Sequence, residues 1–289
     1  SYWGCLRMNN VELASICGFC KGVEASVNLA VELIKKHKGE KLYTAGELIH
    51  NKWIVNNLAE QGIIPISGPE GHEKGIVLIC AHGITPTLKQ QYIDAGFKVV
   101  DGTCRIILRN QKLIGETNNQ TIFIGKKNHP ETISTMAFAK RPSILISQVS
   151  DLDLLERNIR YDAIVQTTYS SSIISNIKEA IKERGLDVNF LSDICKSSQR
   201  RRDAVKKLCE TCESIVIIGD KHSANSQGLK KIAEEEGKPA FLVSDVDDIT
   251  PEILRYKHIG LSAGASVPMD VITRVRRYLI NGEIKIVIV

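Results

Sequence analysis

Three cysteines are spaced as if each belonged to one of three similar units. Cys20, Cys104 and Cys195 lie about 84 and about 91 residues apart, and each follows a short apolar run and precedes a helix-like run. Three thiolates, one from each unit, can meet at one point and hold three corners of an iron–sulfur cluster. The fourth iron then stays open, and an open iron can act chemically on a substrate.

A second set of polar residues falls at the ends of predicted strands or the starts of predicted helices. Exposed N–H groups and the helix dipole favour an anion at such positions. The chain has no Walker sequence and no G-x-G-x-x-G, so a small phosphorylated metabolite is favoured over a nucleotide. The motifs are Ile49-His50-Asn51, Cys80-Ala81-His82-Gly83, Asn128-His129-Pro130-Glu131, Gln166-Thr167-Thr168, His222-Ser223-Ala224-Asn225-Ser226 and Ala263-Gly264-Ala265-Ser266.

Glu131 stands two residues after His129 and is the natural proton carrier of this set. A carboxylate among histidines in a water-poor pocket can be tuned towards neutral pH and deliver protons. The alternative is structural, because acids are favoured in the first turn of a helix that begins at a proline such as Pro130.

The elements that must position these residues alternate along the chain. Apolar, β-rich runs read as buried parallel strands, and the segments between them have helical spacing, which predicts an α/β fold with parallel sheets. The predicted strands are 76–80, 121–125, 163–166, 215–219, 240–244 and 258–262. The predicted helices are 23–34, a helix from Pro86 up to Gly96, and 105–115, 131–140, 172–184, 197–209, 226–236 and 268–280.

The cysteine repeat predicts three similar small α/β units, because no long linker marks other boundaries. The units, with their candidate residues, are 8–100 (Cys20, His50, His82), 101–192 (Cys104, His129, Glu131, Thr167) and 193–281 (Cys195, Ser223, Asn225, Ser266), flanked by extensions 1–7 and 282–289.

Composition narrows the class of protein without identifying an activity. The chain has 289 residues, of which 43% are hydrophobic, and no apolar stretch approaches the length of about 20 residues that a membrane helix needs. The N-terminus lacks a secretion signal, so we expect a cytoplasmic protein with reduced thiols. The net charge of +5 is spread along the chain, and the basic runs 200–202 and 274–277 are expected to be solvated helix faces rather than a nucleic-acid site.

Two C-x-x-C pairs could indicate a thioredoxin-like pair or a zinc site. They are Cys17 with Cys20 and Cys209 with Cys212. Zinc would need a second compact pair of ligands near each, so Cys209 and Cys212 are predicted to be buried or surface thiols. The remaining candidates are predicted to be a core residue, Cys80, and surface residues, His37, His72 and His258.

In this order, the motifs resemble the family of 4-hydroxy-3-methylbut-2-enyl diphosphate reductases, oxidoreductases of isoprenoid biosynthesis by the methylerythritol phosphate pathway. The resemblance runs from about Val11 to about Leu279. It rests on Gly18-Phe19-Cys20 with Gly22-Val23, His50-Asn51, Ala81-His82-Gly83, Asp101 with Thr103-Cys104, His129-Pro130-Glu131, Gln166-Thr167-Thr168, Asp193-Ile194-Cys195, Ser223 with Asn225-Ser226, and Ala263-Gly264-Ala265-Ser266.

The resemblance implies a trefoil of three α/β units around a central 4Fe-4S cluster whose open iron binds the substrate hydroxyl. Two electrons, from a reduced ferredoxin or flavodoxin, and two protons would remove that hydroxyl as water and yield isopentenyl and dimethylallyl diphosphates. The implied roles are metal ligation by Cys20, Cys104 and Cys195, diphosphate binding by His50, His82, His129, Ser223, Asn225 and Ser266, contact with the hydroxyl by Thr167, and catalysis by Glu131 with Thr167 and His129.

Five positions depart from the family pattern, and they leave two alternatives open. One is a cluster-bearing paralogue that binds or senses without catalysing, and the other is a reductase of a different allylic diphosphate. The departures are Cys17 for an arginine, Gly102 for an alanine, Arg105 for a proline, Lys196 for an aromatic residue and Ala224 for a serine.

Overall fold

The computed structural model describes residues 9–49 and 51–281, which form twelve strands, ten α-helices and two short 3₁₀ helices. The strands are β1 (Asn10–Leu13), β2 (Leu42–Ala45), β3 (Ile63–Ile66), β4 (Ile76–Ile79), β5 (Lys98–Asp101), β6 (Gln120–Ile124), β7 (Ile144–Ile146), β8 (Arg160–Val165), β9 (Asp187–Phe190), β10 (Ser214–Ile218), β11 (Ala240–Val243) and β12 (His258–Ala263). The helices are α1 (Lys21–Lys36), α2 (Lys52–Glu60), α3 (Pro86–Asp94), α4 (Arg105–Glu116), α5 (Pro130–Met136), α6 (Ser171–Glu183), α7 (Lys196–Thr211), α8 (Ala224–Glu235), α9 (Pro251–Leu254) and α10 (Met269–Asn281).

The described strands form three four-stranded sheets with one shared topology. Their orders are β3-β2-β4-β5, β7-β6-β8-β9 and β11-β10-β12-β1, and every ladder is parallel. In each sheet, one edge strand lies between the two middle strands along the chain. The other edge strand pairs with the later of the two middle strands. The predicted α/β class is therefore confirmed, with three similar parallel sheets among the described residues.

The third sheet is completed by the first strand of the chain. Strand β1 pairs with β12 from Asn10 opposite His258 to Leu13 opposite Leu261. The predicted unit boundaries stay a prediction in other respects, but residues 10–13 contribute to the third sheet and not to the first. Sequence order could not reveal this pairing, because the partners are at opposite ends of the chain.

The described residues divide into two compact units, one of residues 9–20 with 196–281 and the other of residues 21–49 with 51–195. Each unit has its own apolar core. In the first, the core includes Val216 and Leu261, and in the second it includes Ile122 and Val165; all four are fully buried. The buried strands explain why their sequences are continuous apolar runs, since both faces of a parallel sheet are covered.

Local signals explain the helix ends that sequence patterns located well. Thr85 caps α3 by accepting a hydrogen bond from the Leu88 amide at 3.1 Å, and Pro86 occupies the first helical position. The segment 42–66, for which no element was predicted, holds two four-residue strands and α2. Its strands are short, and Pro65 lies in the edge strand β3, where the missing N–H is tolerated.

Membrane insertion finds no support among the helices. Within residues 9–49 and 51–281, no helix combines the length and apolar character that crossing a bilayer requires.

Candidate functional site

The three predicted ligand cysteines share one backbone arrangement. Each follows the edge strand at the end of its sheet, and its amide donates to a carbonyl two residues beyond the end of the neighbouring strand. The bonds run from Cys104 to Ala81 at 3.0 Å, from Cys195 to Thr167 at 3.1 Å and from Cys20 to Ala265 at 3.1 Å. The repeat predicted from sequence spacing is thus reproduced in the hydrogen bonds that hold each cysteine.

All three cysteines directly precede a helix and are partly buried. Cys104 is the N-cap residue of α4, but its sulfur does not cap the first turn of the helix. The positive end of a helix dipole favours a negatively charged sulfur. None of the seven cysteines among the described residues forms a disulfide.

Glu131 is buried and is held by a single residue. Glu131 is only 1% exposed. Its Oε1 accepts a hydrogen bond from the Thr167 amide and its Oε2 accepts one from the Thr167 hydroxyl, both at 2.8 Å. Burial raises the pKa of Glu131 to about 7, and the two bonds from Thr167 limit the rise. Glu131 also lies in the first turn of α5, as the structural alternative states, so its burial and raised pKa are what distinguish it from an ordinary first-turn acid.

Thr167 connects Glu131 to one of the cysteines. Its side chain and amide bind the carboxylate of Glu131, while its carbonyl accepts the amide of Cys195. It lies two residues beyond the end of β8 and is 7% exposed. The predicted proton carrier and a predicted metal ligand are therefore both hydrogen-bonded to Thr167.

Two histidines lie beside this pair in the unit of residues 21–195. His129 is the N-cap of α5, and its Nδ1 accepts the Glu131 amide at 3.2 Å. Its ring meets the ring of His82 edge-on, with centroids 5.6 Å apart. The hydroxyl of Ser134 donates to the His82 carbonyl at 2.7 Å, which fixes the loop that carries His82. Of the predicted residues, the structure thus brings together His82, His129, Glu131 and Thr167.

The other unit presents a second polar group at the start of α8. Ser223 is the N-cap and accepts the amide of Ser226 at 3.3 Å. Asn225 is 9% exposed, and within the described residues its Nδ2 has no hydrogen-bond partner. Ser266, which is 7% exposed, belongs to the same unit. A buried amide donor without an acceptor is costly, so it supports a site for a ligand oxygen.

A glycine favours the close packing of the end of β12 against α8. A Cβ atom on Gly264 would come within 2.2 Å of the Ser226 hydroxyl oxygen, which would have to move. The motif Ala263-Gly264-Ala265-Ser266 is therefore explained in part by packing.

Two buried polar residues hold the site loops in ways that sequence reasoning did not predict. Gln166 is fully buried, and its Oε1 accepts the Lys126 amide at 2.8 Å, which ties the loop before His129 to the end of β8. The motif Gln166-Thr167-Thr168 was singled out from the sequence, but no role was predicted for Gln166 itself.

The second residue is Arg201, and it corrects a prediction. The run 200–202 was expected to be a solvated helix face, but Arg201 and Arg202 are 1% and 3% exposed. The Nη2 of Arg201 donates to the Gly18 carbonyl at 2.6 Å, two residues before Cys20. Gly18 has a φ of +76°, and this turn needs glycine. The fold packs α7 against this turn, a contact that charge patterning cannot show.

Two positions that depart from the family pattern, Arg105 and Lys196, are exposed. At a third, Cys17, burial raises the pKa of the thiol, with the charge of Arg201 opposing the rise. Cys80 is a core residue as predicted, with its pKa raised by burial to about 12. His50 lies outside the described residues, as do the extensions 1–7 and 282–289.

Comparison with known proteins identifies the relatives of this chain. A family model described as "LytB protein" matches residues 11–280. A 4-hydroxy-3-methylbut-2-enyl diphosphate reductase of Treponema denticola is 33% identical and the alignment covers 94% of this chain and 99% of the relative. The reductase of the same name from Aquifex aeolicus is 31% identical, with 93% and 95% covered.

Solved structures give the same result. The E-1-hydroxy-2-methyl-but-2-enyl-4-diphosphate reductase of Plasmodium falciparum superposes with a TM-score of 0.86 at 27% identity, covering 92% of this chain and 86% of that one. A structure of (E)-4-hydroxy-3-methyl-but-2-enyl diphosphate reductase, described as the terminal enzyme of the non-mevalonate pathway, gives 0.68 at 30% identity, covering 93% and 98%.

Proposed function

The chain belongs to the LytB family, and on that premise we propose that it reduces 4-hydroxy-3-methylbut-2-enyl diphosphate to isopentenyl and dimethylallyl diphosphates. The reaction consumes two electrons and two protons, breaks the bond between carbon and the hydroxyl oxygen, and releases that oxygen as water. Relatives named for this activity align with the chain over 99% and 95% of their own lengths.

One observation carries the proposal within the chain itself: Thr167 binds both the carboxylate of Glu131 and the amide of Cys195. A reductive loss of water needs a proton source next to the place where the substrate hydroxyl binds. The resemblance puts Thr167 beside that hydroxyl, and its hydrogen bond to Glu131 supplies the proton route.

The proton route runs from Oε2 of Glu131 to Oγ1 of Thr167, which are 2.8 Å apart. With a pKa of about 7, Glu131 is present in both protonation states near neutral pH, so it can give up a proton and take one back. When Oε2 carries the proton, the Thr167 hydroxyl can accept a hydrogen bond from it and donate its own proton towards a substrate oxygen.

The diphosphate is assigned to residues that donate hydrogen bonds or carry an imidazole. The buried and unpartnered Nδ2 of Asn225 at the start of α8 supports this assignment in one unit, and the adjacent rings of His82 and His129 support it in the other. The set proposed from the resemblance is His50, His82, His129, Ser223, Asn225 and Ser266.

Cys20, Cys104 and Cys195 are the proposed ligands of a 4Fe-4S cluster. Iron–sulfur chemistry is characteristic of the LytB family, and thiolates are the donors that such clusters take. The donor set fits, because the three sulfurs follow equivalent strands, precede helices and have amides anchored in the same way. When bound, the cluster would supply the two electrons and an open, Lewis-acidic iron for the substrate hydroxyl.

One further assignment rests on the resemblance alone. The electron donor is a reduced ferredoxin or flavodoxin.

Anaerobic turnover of 4-hydroxy-3-methylbut-2-enyl diphosphate with a strong artificial reductant tests the proposal. Iron and sulfide analysis first establishes that the protein carries an assembled cluster. Formation of the two C5 diphosphates is the expected result. No product from cluster-loaded protein would contradict the proposal, and activity on other allylic diphosphates only would reassign the substrate.

The same assay tests the proton source through Glu131→Gln. This variant should keep its cluster and lose turnover, because the amide cannot supply the proton. Glu179→Gln, an exposed glutamate of α6, is the matched control and should keep full turnover. Normal turnover of Glu131→Gln would rule out the proton role.

A further inference from the structure

Three potential metal ligands converge near the amino-terminal ends of β10 and β12, in the unit of residues 9–20 and 196–281. Glu12 on β1, Cys212 before β10 and His258 at the start of β12 bring an oxygen, a sulfur and a nitrogen within 4.8 Å of one another. The Nε2 of His258 is 3.3 Å from Oε2 of Glu12, and the sulfur of Cys212 is 3.9 Å from the same oxygen.

The donor atoms are held in place by their neighbours. The Thr211 hydroxyl donates to Oε2 of Glu12 at 3.2 Å. Glu213 accepts the amides of Lys257 at 2.7 Å and of His258 at 3.2 Å, which fixes the backbone that carries the imidazole. Such supporting bonds orient the ligands of metal sites.

The imidazole nitrogen points to a missing partner. Within the described residues, Nε2 of His258 is buried and makes no hydrogen bond, although the Glu12 carboxylate lies 3.3 Å away. His258 was predicted to be a surface residue, and its side chain is 28% exposed, so the buried Nε2 belongs to a side chain that still reaches the surface. The sulfur of Cys212 is also buried, since the residue is 1% exposed. A cation would satisfy the nitrogen, sulfur and oxygen lone pairs together.

The spacing and the ligand types select the ion. Zinc binds sulfur, imidazole nitrogen and carboxylate oxygen at about 2.0–2.3 Å, and a tetrahedron with such bonds has edges of roughly 3.3–3.8 Å. The measured separations of 3.3 and 3.9 Å are close to these edges. Magnesium and calcium prefer oxygen ligands only.

We propose that Glu12, Cys212 and His258 bind a zinc ion, with water in the fourth position. The side chain of Glu12 is 45% exposed, so a solvent ligand can reach the ion. On binding, the S–H bond of Cys212 breaks, a zinc–sulfur bond forms, and the proton passes to solvent. The ion joins β1 and β12 to the segment after α7, so it stabilises the edge of the third sheet. Cys209, the other half of the C-x-x-C pair, is not part of the ligand group.

Zinc binding to the cluster-loaded protein tests the proposal. The protein is equilibrated anaerobically with zinc and a competing chelator, and zinc, iron and sulfide are counted. Zinc-edge X-ray absorption then reads the ligand types without interference from iron. One zinc per chain with one sulfur and three nitrogen or oxygen ligands is the expected result, with the iron content unchanged.

Variants assign the ligands. Cys212→Ser and His258→Gln should each weaken zinc binding by at least about tenfold, whereas Cys209→Ser should bind as the wild type does. Glu12→Gln and His258→Gln change partly exposed side chains and serve if Cys212→Ser does not fold. Zinc that is absent from the wild type, that displaces iron, or that binds equally well to His258→Gln and Glu12→Gln would overturn the proposal.

Discussion

Strand β8 has a buried carboxylate associated with each end, and the two have opposite pKa shifts. Asp162, near the amino end, is 4% exposed, and Glu131, bound to Thr167 beyond the carboxyl end, is 1% exposed. Burial raises the pKa of Glu131 to about 7. At Asp162 the same effect is outweighed and the pKa is lowered. The donors to Asp162 are Thr117, Asn119 at 3.1 Å and Asn189 at 2.9 Å.

The difference lies in the number and origin of the hydrogen-bond donors. Three residues from two segments bind the Asp162 carboxylate, whereas one residue supplies both donors to Glu131. Donors to a carboxylate favour its charged form, and burial disfavours it. Asp162 is therefore held as an anion that joins two segments to the strand, and the carboxyl end holds a group that can change its protonation state near neutral pH.

The largest expected effect is a difference in kcat between variants of the two carboxylates. Glu131→Gln should lower kcat by about 10²–10⁴-fold, because a positioned acid contributes that much. Asp162→Asn should leave the kcat of the folded protein unchanged. Steady-state turnover of both cluster-loaded variants is the measurement, and a comparable loss in both would remove the functional distinction.

The two carboxylates should also differ in how pH affects stability. The pKa of Glu131 rises from 4.5 to about 7 on folding, so its contribution to the free energy of unfolding falls as the pH rises through that window. The fall is on the order of 3 kcal/mol. Glu131→Gln should therefore be more stable than the wild type at pH 8 and not at pH 4. Denaturant unfolding at both pH values checks this, and equal differences at the two would contradict the raised pKa.

Asp162→Asn should destabilise the protein by about 1–3 kcal/mol at neutral pH, because the hydrogen bonds that three residues donate to a buried, charged carboxylate are lost or weakened. The pKa of Asp162 is lowered on folding, so its stabilisation is present above the unfolded pKa and is lost as the pH falls through the folded pKa. Urea unfolding of the variant should converge with that of the wild type in acid. Asp187→Asn, an exposed residue at the start of β9, is the control.

The smallest effect sharpens the role of the donors to Glu131. Thr167→Val removes the hydroxyl donor but keeps the amide donor, so the pKa of Glu131 should rise further, by about one unit. The pH profile of kcat/KM should shift upwards by that amount, in addition to any loss of rate. Thr168→Val, at the next position, should leave the profile in place. An unshifted profile in Thr167→Val would show that the hydroxyl does not tune Glu131.

The residues at the carboxyl end of β8 were easier to single out from the sequence than those at its amino end. Glu131 and Thr167 could be found because each follows an apolar strand and belongs to a family motif. Their hydrogen bonds span 36 residues and could not be read from spacing. Asp162 was missed because the predicted strand began at Ala163 and its partners are scattered over other segments.

The same limit explains the other differences. Long apolar strands such as β10 and capped helices such as α3 were predicted from local signals. The pairing of β1 with β12, the burial of Arg201 and the convergence of Glu12 with His258 all join residues that are distant in sequence. No periodicity records such contacts.

The closure of the third sheet by β1 has a consequence for biosynthesis. Asn10 pairs with His258, whereas both sheets of residues 21–195 are made from strands that follow one another along the chain. Local pairings form sooner than pairings over long loops. During translation, residues 21–195 can fold before β12 has been synthesised, so β1 remains unpaired until then. Cys20, which follows β1, is therefore the last of the three cysteines to reach its place, and we expect iron–sulfur assembly to be a late, post-translational event.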